Sequence, residues 1–153
     1  MSFVVFDCSQ FVTFDTGCLF DLGKAEQIFT AKGFVVRTNQ DIDLKKRAYF
    51  SDIFGDIILE IVDDEFLGNN FEDWSDKNDV PGQVQSLANA IEELENTFDL
   101  SGLKIILVDS ADADPQKNFL VNRKMESQDL REELFFASSK NFELYGNVYI
   151  FAR

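Results

Sequence analysis

The strongest pattern in the chain is QVQSLANAIEELENTF, residues 83 to 98, where Val84, Leu87, Ala88, Ile91, Leu94 and Phe98 recur every three or four positions. That spacing lays one apolar stripe along a helix and turns Glu92, Glu93 and Glu95 mostly away from it. Pro81 and Gly82 stand just before its start. DLGKAEQIFTAKG, residues 21 to 33, predicts a shorter helix that begins near Asp21, gathers Ala25, Ile28 and Phe29 on one face and stops at Gly33. Two more helices are expected: one over DIDLKKRAYFSDIFG, where Leu44, Ala48, Phe50 and Phe54 share a broad apolar face, and one over SQDLREELFFA.

Between these lie runs of a different period. Residues 3 to 7 and 10 to 14 are crowded with aromatic and β-branched side chains and predict two short strands in a hairpin. FVVRT follows the first helix as a strand, and DIILEIV, apolar after Asp56 except for Glu60, reads as an interior strand. LKIILVD, residues 103 to 109, is another buried strand, and NFLVNR a further one. FELYGNVYIFA closes the chain as a strand or as a hairpin turning at Gly146 and Asn147. No repeat and no Gly/Ser or Pro-rich linker divides residues 1–153, so one globular domain is expected, with a central mixed sheet of five or six strands flanked by three or four helices. Burial of a strand on both faces is only a tendency of parallel sheets, so α+β and α/β both stand at this point.

Composition confirms a folding chain and adds a field. At 153 residues, about two-thirds of the extended surface is buried on folding. An apolar fraction of 45% with seventeen phenylalanines is far too much apolar mass for a disordered acidic tail. Twenty-eight Asp and Glu against fourteen Lys and Arg give a formal charge of -14. A surface of that sign repels nucleic acid and anionic lipid and attracts a cationic protein. High negative charge also keeps a small protein soluble, whatever its function. The start, MSFVVFDCSQ, has no basic region, and no stretch approaches eighteen apolar residues, so a cytoplasmic address is expected. Cys8 and Cys18 lack C-x-x-C spacing and read as reduced core cysteines.

The chain contains no histidine. His-based general base catalysis, Ser-His-Asp and Cys-His nucleophile systems and His-containing zinc sites are thereby excluded. Neither G-x-G-x-x-G nor a Walker phosphate loop occurs. Carboxylate chemistry survives, but no calcium loop does. From Asp76 the fifth and sixth positions are Val80 and Pro81, and from Asp112 the glycine and glutamate positions hold Lys117 and Arg123. Lys45, Lys46 and Arg47 fan across more than a quarter turn of a helix and suit local ion pairing rather than a nucleic-acid footprint. No cofactor and no metal is expected.

Two short stretches resemble catalytic motifs. VTFDTG, residues 12 to 17, resembles the strand and turn of aspartic proteases, which implies that Asp15 is one of two carboxylates sharing a proton. Asp109 and Ser110 resemble the first part of a second copy, but Ala111 stands where the family has glycine, and Cys18 replaces the serine often found after the first. The structural alternative is that Asp15 or Thr16 caps a turn and Gly17 supplies a permissive backbone. FVVFD, residues 3 to 7, resembles the strand leading to the nucleophile of haloacid-dehalogenase-like phosphotransferases, with Ser9 where that family has its second aspartate.

The richest acidic stretch is VDDEFLGNNFEDWSDKNDVPG, residues 62 to 82, with seven carboxylates, one lysine and the single tryptophan. Phe66, Phe71 and Trp74 are candidate anchors for a protein partner, with Asp63, Asp64, Glu65, Glu72, Asp73, Asp76 and Asp79 as a steering rim. The plainer alternatives are a solvated loop and a tryptophan partly buried in the core. Asp109 to Asp114 is a second acidic candidate. In size, acidity and lack of catalytic residues the chain is similar to immunity proteins that neutralise bacterial nuclease toxins, a likeness of overall character that carries no contact residues with it. It shares its charge logic with antirestriction proteins that mimic DNA. The expectation is an acidic, non-enzymatic inhibitor of a cationic toxin or nuclease. A carboxylate-dependent hydrolase using Asp15 and a structural subunit of a homo-oligomer are the alternatives.

Overall fold

A computed structural model describes residues 9–17, 20–42, 54–62, 74–108, 120–141 and 147–151. Its first strand, β1 (Ser9–Thr16), is central. The apolar pattern of the next segment becomes α1 (Leu22–Thr30): Asp21 caps it by accepting from the Lys24 N–H at 3.1 Å, and Ala25, Ile28 and Phe29 are its buried face. The helix stops where expected. Gly33 takes φ +90°, a region that costs other residues a steric penalty, and lets the Phe34 N–H turn back to the Phe29 carbonyl.

From Phe34 the chain runs into β2 (Val36–Thr38), and β3 (Ile57–Ile61) returns beside it. The sixteen-residue α2 (Gly82–Thr97) then buries Val84, Leu87, Ala88, Ala90, Ile91 and Leu94, and β4 (Leu100–Val108) follows. Both β2 and β1 pair antiparallel with β3, and β4 pairs antiparallel with β1 on its other side. Each helix therefore joins two strands of the same direction that are separated by a third. Among the described residues this βαββαβ order, two interlocked split βαβ units, is the ferredoxin-like arrangement. On the far edge β4 pairs antiparallel with β6 (Asn147–Phe151), which pairs parallel with β5 (Leu120–Met125), and α3 (Leu130–Asn141) connects those last two strands. The full order is β2-β3-β1-β4-β6-β5.

The expectation of a central mixed sheet of five or six strands with three or four helices, α/β or α+β, is corrected in how the sheet is built: the one parallel pair, β5–β6, lies at an edge and does not form the centre. The class is α+β, the packed body is the four-stranded antiparallel sheet β2-β3-β1-β4, and three α-helices accompany it among the described residues. The strand, helix, strand run at the N-terminal end does form, but β2 lands two places from β1 because β3 enters between them and takes hydrogen bonds from both. The strand expected at residues 3 to 7, with its hairpin to β1, and most of the helix expected over 41 to 55 lie outside the described residues.

The helices form one layer: α1 packs on α2, and α2 on α3. Val12 and Phe14 of β1, Leu59 and Ile61 of β3, and Leu103, Ile105 and Leu107 of β4 meet them in the main core. Alternate residues point to the other face, where Phe11, Thr13, Ile58 and Ile106 are also buried. There Glu60, 3% exposed, stands opposite Phe11 on one side and Arg37 on the other, and the Arg37 guanidinium approaches its carboxylate at 3.4 Å. A buried charge needs such a partner. The β1–β4 register shifts by one residue between Thr13 and Asp15, where Gly102 at φ +64° makes a bulge. As a result Leu100 and Leu103, three apart in a strand, both reach the same core.

Candidate functional site

The described part of the acidic stretch begins at Trp74. Its ring is half-buried and packs against the main core, so the tryptophan is first a structural residue. After it the chain makes a 3-10 turn over Lys77–Asp79, held by reciprocal caps. Asp76 accepts from the Asn78 N–H at 2.8 Å, while the Asp79 carboxylate accepts from the N–H groups of Ser75 and Asp76 at 2.8 and 3.1 Å and from the Ser75 hydroxyl at 3.0 Å. Asp76 and Asp79 are thus exposed charges whose directions are fixed by the turn. Asp63, Asp64, Glu65, Phe66, Phe71, Glu72 and Asp73 lie outside the described residues, as do Asp109 to Asp114 and the basic cluster Lys45 to Arg47.

Donation by Ser75 and Asp76 favours the charged form of Asp79 and lowers its pKa below the ordinary 3.8. A carboxyl lowered in this way stabilises the folded turn at all pH above its ordinary value, and the contribution is lost as pH falls through the lower, folded value. In NMR, the amide proton of Ser75, which donates to Asp79, is therefore expected to make its main shift below the ordinary aspartate midpoint. In Asp79→Asn that low-pH movement is lost. A midpoint at or above 3.8 in the unsubstituted protein would show that the caps do not hold the charge.

Two contacts tie this turn to α3. Lys77 Nζ meets Glu132 Oε1 at 2.9 Å, and that hydrogen bond and charge raise the lysine pKa. Arg131 Nη2 donates to the Val80 carbonyl at 3.2 Å. Between turn and helix lies an open groove of about 440 Å³, with Ser75, Asp76 and Lys77 on one wall and Glu132, Glu133, Phe135 and Phe136 on the other. Phe136 is 53% exposed, one of two large apolar side chains so exposed among the described residues.

Sequence reasoning passed over the α3 wall, although the residues carry a signal. Leu130 and Leu134, four apart, take the buried face of the helix. Position 136 then lies about 200° round from 134 at 100° per residue, which turns Phe136 to solvent. The helix layer carries further exposed carboxylates. Glu126, Asp129 and Glu132 are exposed around the start of α3, and Glu92 and Glu93 along α2. Gln128 binds the two together, donating to Glu92 at 2.6 Å and to Asn89 at 3.1 Å.

The VTFDTG stretch has a structural part to play. Asp15 is exposed, and its Oδ1 accepts from the Asp56 N–H at 2.9 Å. Buried Thr13 accepts from the Gly55 N–H at 2.8 Å and donates to the Ile57 carbonyl at 2.7 Å. Together they pin residues 55–57 against β1. Gly17 does not use positive φ, so no backbone permission is needed there. Among the described residues no group of three or more Cys, Asp or Glu side chains is placed to hold a metal ion, and no helix is long and apolar enough to cross a membrane. No protein family, curated protein or solved structure matches the chain.

Proposed function

We propose that this chain is an acidic binding protein that inhibits a cationic toxin or nuclease by covering its nucleic-acid groove. The observation that carries the reading is the charge of -14 together with the exposed carboxylates of Asp76, Asp79, Glu92, Glu126, Asp129 and Glu132 around one helix layer. Opposite charge raises the encounter rate, and a few desolvated contacts set the residence time. Asp63, Asp64, Glu65, Phe71, Glu72 and Asp73, which run in sequence up to Trp74, belong to the same proposed contact surface. The partner is a cationic protein, with neither nucleic acid nor a membrane as ligand, and a cytoplasmic address suits that role. The backbone duties of Asp15 weigh against the hydrolase alternative.

The test uses the full chain as bait at low salt and then asks what the captured protein can still do. Recovery of one basic protein, released as salt rises above about 0.15 M and inactivated by one equivalent of the chain, is the expected result. A captured protein that keeps full activity at saturation, or no basic protein at all, would end the inhibitor reading.

A further inference from the structure

We infer that β5, α3 and β6 form one C-terminal unit that opens by local unfolding while the four-stranded body stays folded, and that its opening uncovers the edge of β4. The inference stands apart from the inhibitor reading. Among the described residues β5 pairs with β6 alone, and β6 pairs with the body only along Lys104–Leu107 of β4. β1, by contrast, is paired with β4 from Ser9 to Thr16 and with β3 on its other side. The unit puts Met125, Leu130 and Leu134 into the main core, and every other buried member of that core lies at or before Leu107. The unit is docked by few apolar side chains, whereas the body closes on itself with many.

The rest of the seam is polar and wet. The Lys77–Glu132 bridge has side chains 54% and 61% exposed, and the bonds from Gln128 to Glu92 and Asn89 are exposed as well. Water replaces such contacts at small net cost. One atom favours opening outright. Arg131 Nη2 donates to the Val80 carbonyl, but Arg131 Nε is buried with no hydrogen-bond partner among the described residues. The docked state carries the cost of that unsatisfied donor, and water removes it once α3 lifts. Within the unit the β5–β6 pairing is parallel and shifts register between Val121 and Lys124. Two strands so paired are not stable alone, so the unit unfolds as it leaves.

The test is native-state amide hydrogen exchange of the full chain, read by NMR in low concentrations of urea. Amides of β5, β6 and the later turns of α3 are expected to exchange as one group, at least about tenfold faster than those of β1 and α2. Along Lys104–Leu107 alternate amides turn to β6 and to β1, and only those turned to β6 should join the fast group. Two variants separate the openings. Phe14→Leu is expected to speed β1 and α2 by up to about tenfold and to leave the unit's amides unchanged, because position 14 stays packed while the unit is open. Leu134→Ala should speed both groups by the same factor, because Leu134 is released in both openings. One common rate for all these amides, or a Phe14→Leu effect shared equally by the unit, would overturn the inference in favour of a single cooperative fold. Fast exchange confined to α3, with the β6-facing amides of β4 as protected as β1, would overturn it in favour of a fraying helix.

Discussion

Alanine at position 14 is expected to remove about 3–5 kcal/mol of stability, the usual cost of deleting a buried phenyl ring. For a chain of this size that lowers the melting temperature by roughly 6–20 °C. Phe14 is fully buried on the central strand, where helices and sheet meet. Its ring stands edge-on to Phe20 at 5.5 Å, and Phe20 leans on Phe98, the residue that ends α2, at 4.6 Å. One ring thus touches a line of aromatics that joins β1 to the exit of α2. β1 is hydrogen-bonded on both edges, to β3 and β4, so the backbone cannot move inward to refill the space. Leucine keeps most of the volume and should cost under about 1.5 kcal/mol. Urea unfolding read by circular dichroism decides it. A loss below about 1 kcal/mol for alanine would mean that the cavity collapses freely, against the close packing expected of such a core.

The same packing explains which features were legible in the chain. Both well-formed early helices announce themselves: α1 by the Asp21 cap, the triplet Ala25, Ile28 and Phe29, and Gly33 at positive φ, and α2 by its three-and-four spacing. Strand order was hidden for a physical reason. Ile58, Leu59, Glu60 and Ile61 are all buried, so β3 shows no alternation from which its face or its neighbours could be read. Only the register shows that Glu60, polar in a run of apolar residues, faces Arg37 across the sheet.

Half of the groove was legible and half was not. Asp76, Asp79 and Trp74 stood out by charge and by rarity, yet the structure gives each a local duty as well, two as caps and one in the core. The other wall comes from α3, more than fifty residues later, and acidity alone did not separate its carboxylates from the rest of a chain rich in them. What marks the place is the meeting of two elements, a tertiary fact that no local window contains. Its electrostatics are also local in effect: at about 8 Å screening length, a carboxylate elsewhere on the surface contributes far less to the field in the groove than one that lines it.

Gly55→Ala is expected to cost about 2–4 kcal/mol, an overpacking cost with lost hydrogen bonds added. A β-carbon there would lie 2.5 Å from the Phe14 carbonyl oxygen and 2.6 Å from its carbon, with Asp15 Oδ1 at 2.9 Å. The first two atoms belong to the backbone of the central strand and have nowhere to go. Relief has to come from residues 54–56 moving outward, which would break the Gly55 N–H to Thr13 and Asp56 N–H to Asp15 bonds. Asp15→Ala releases the same segment by removing its acceptor. The two changes therefore overlap: measured by urea unfolding, the double variant should be destabilised by at least 0.5 kcal/mol less than the sum of the single losses, about the limit of additivity for independent sites. If the losses simply add, Asp15 does not hold that segment, its carboxylate is available for other work, and hydrolase assays on the Asp15 variant become the sharper experiment.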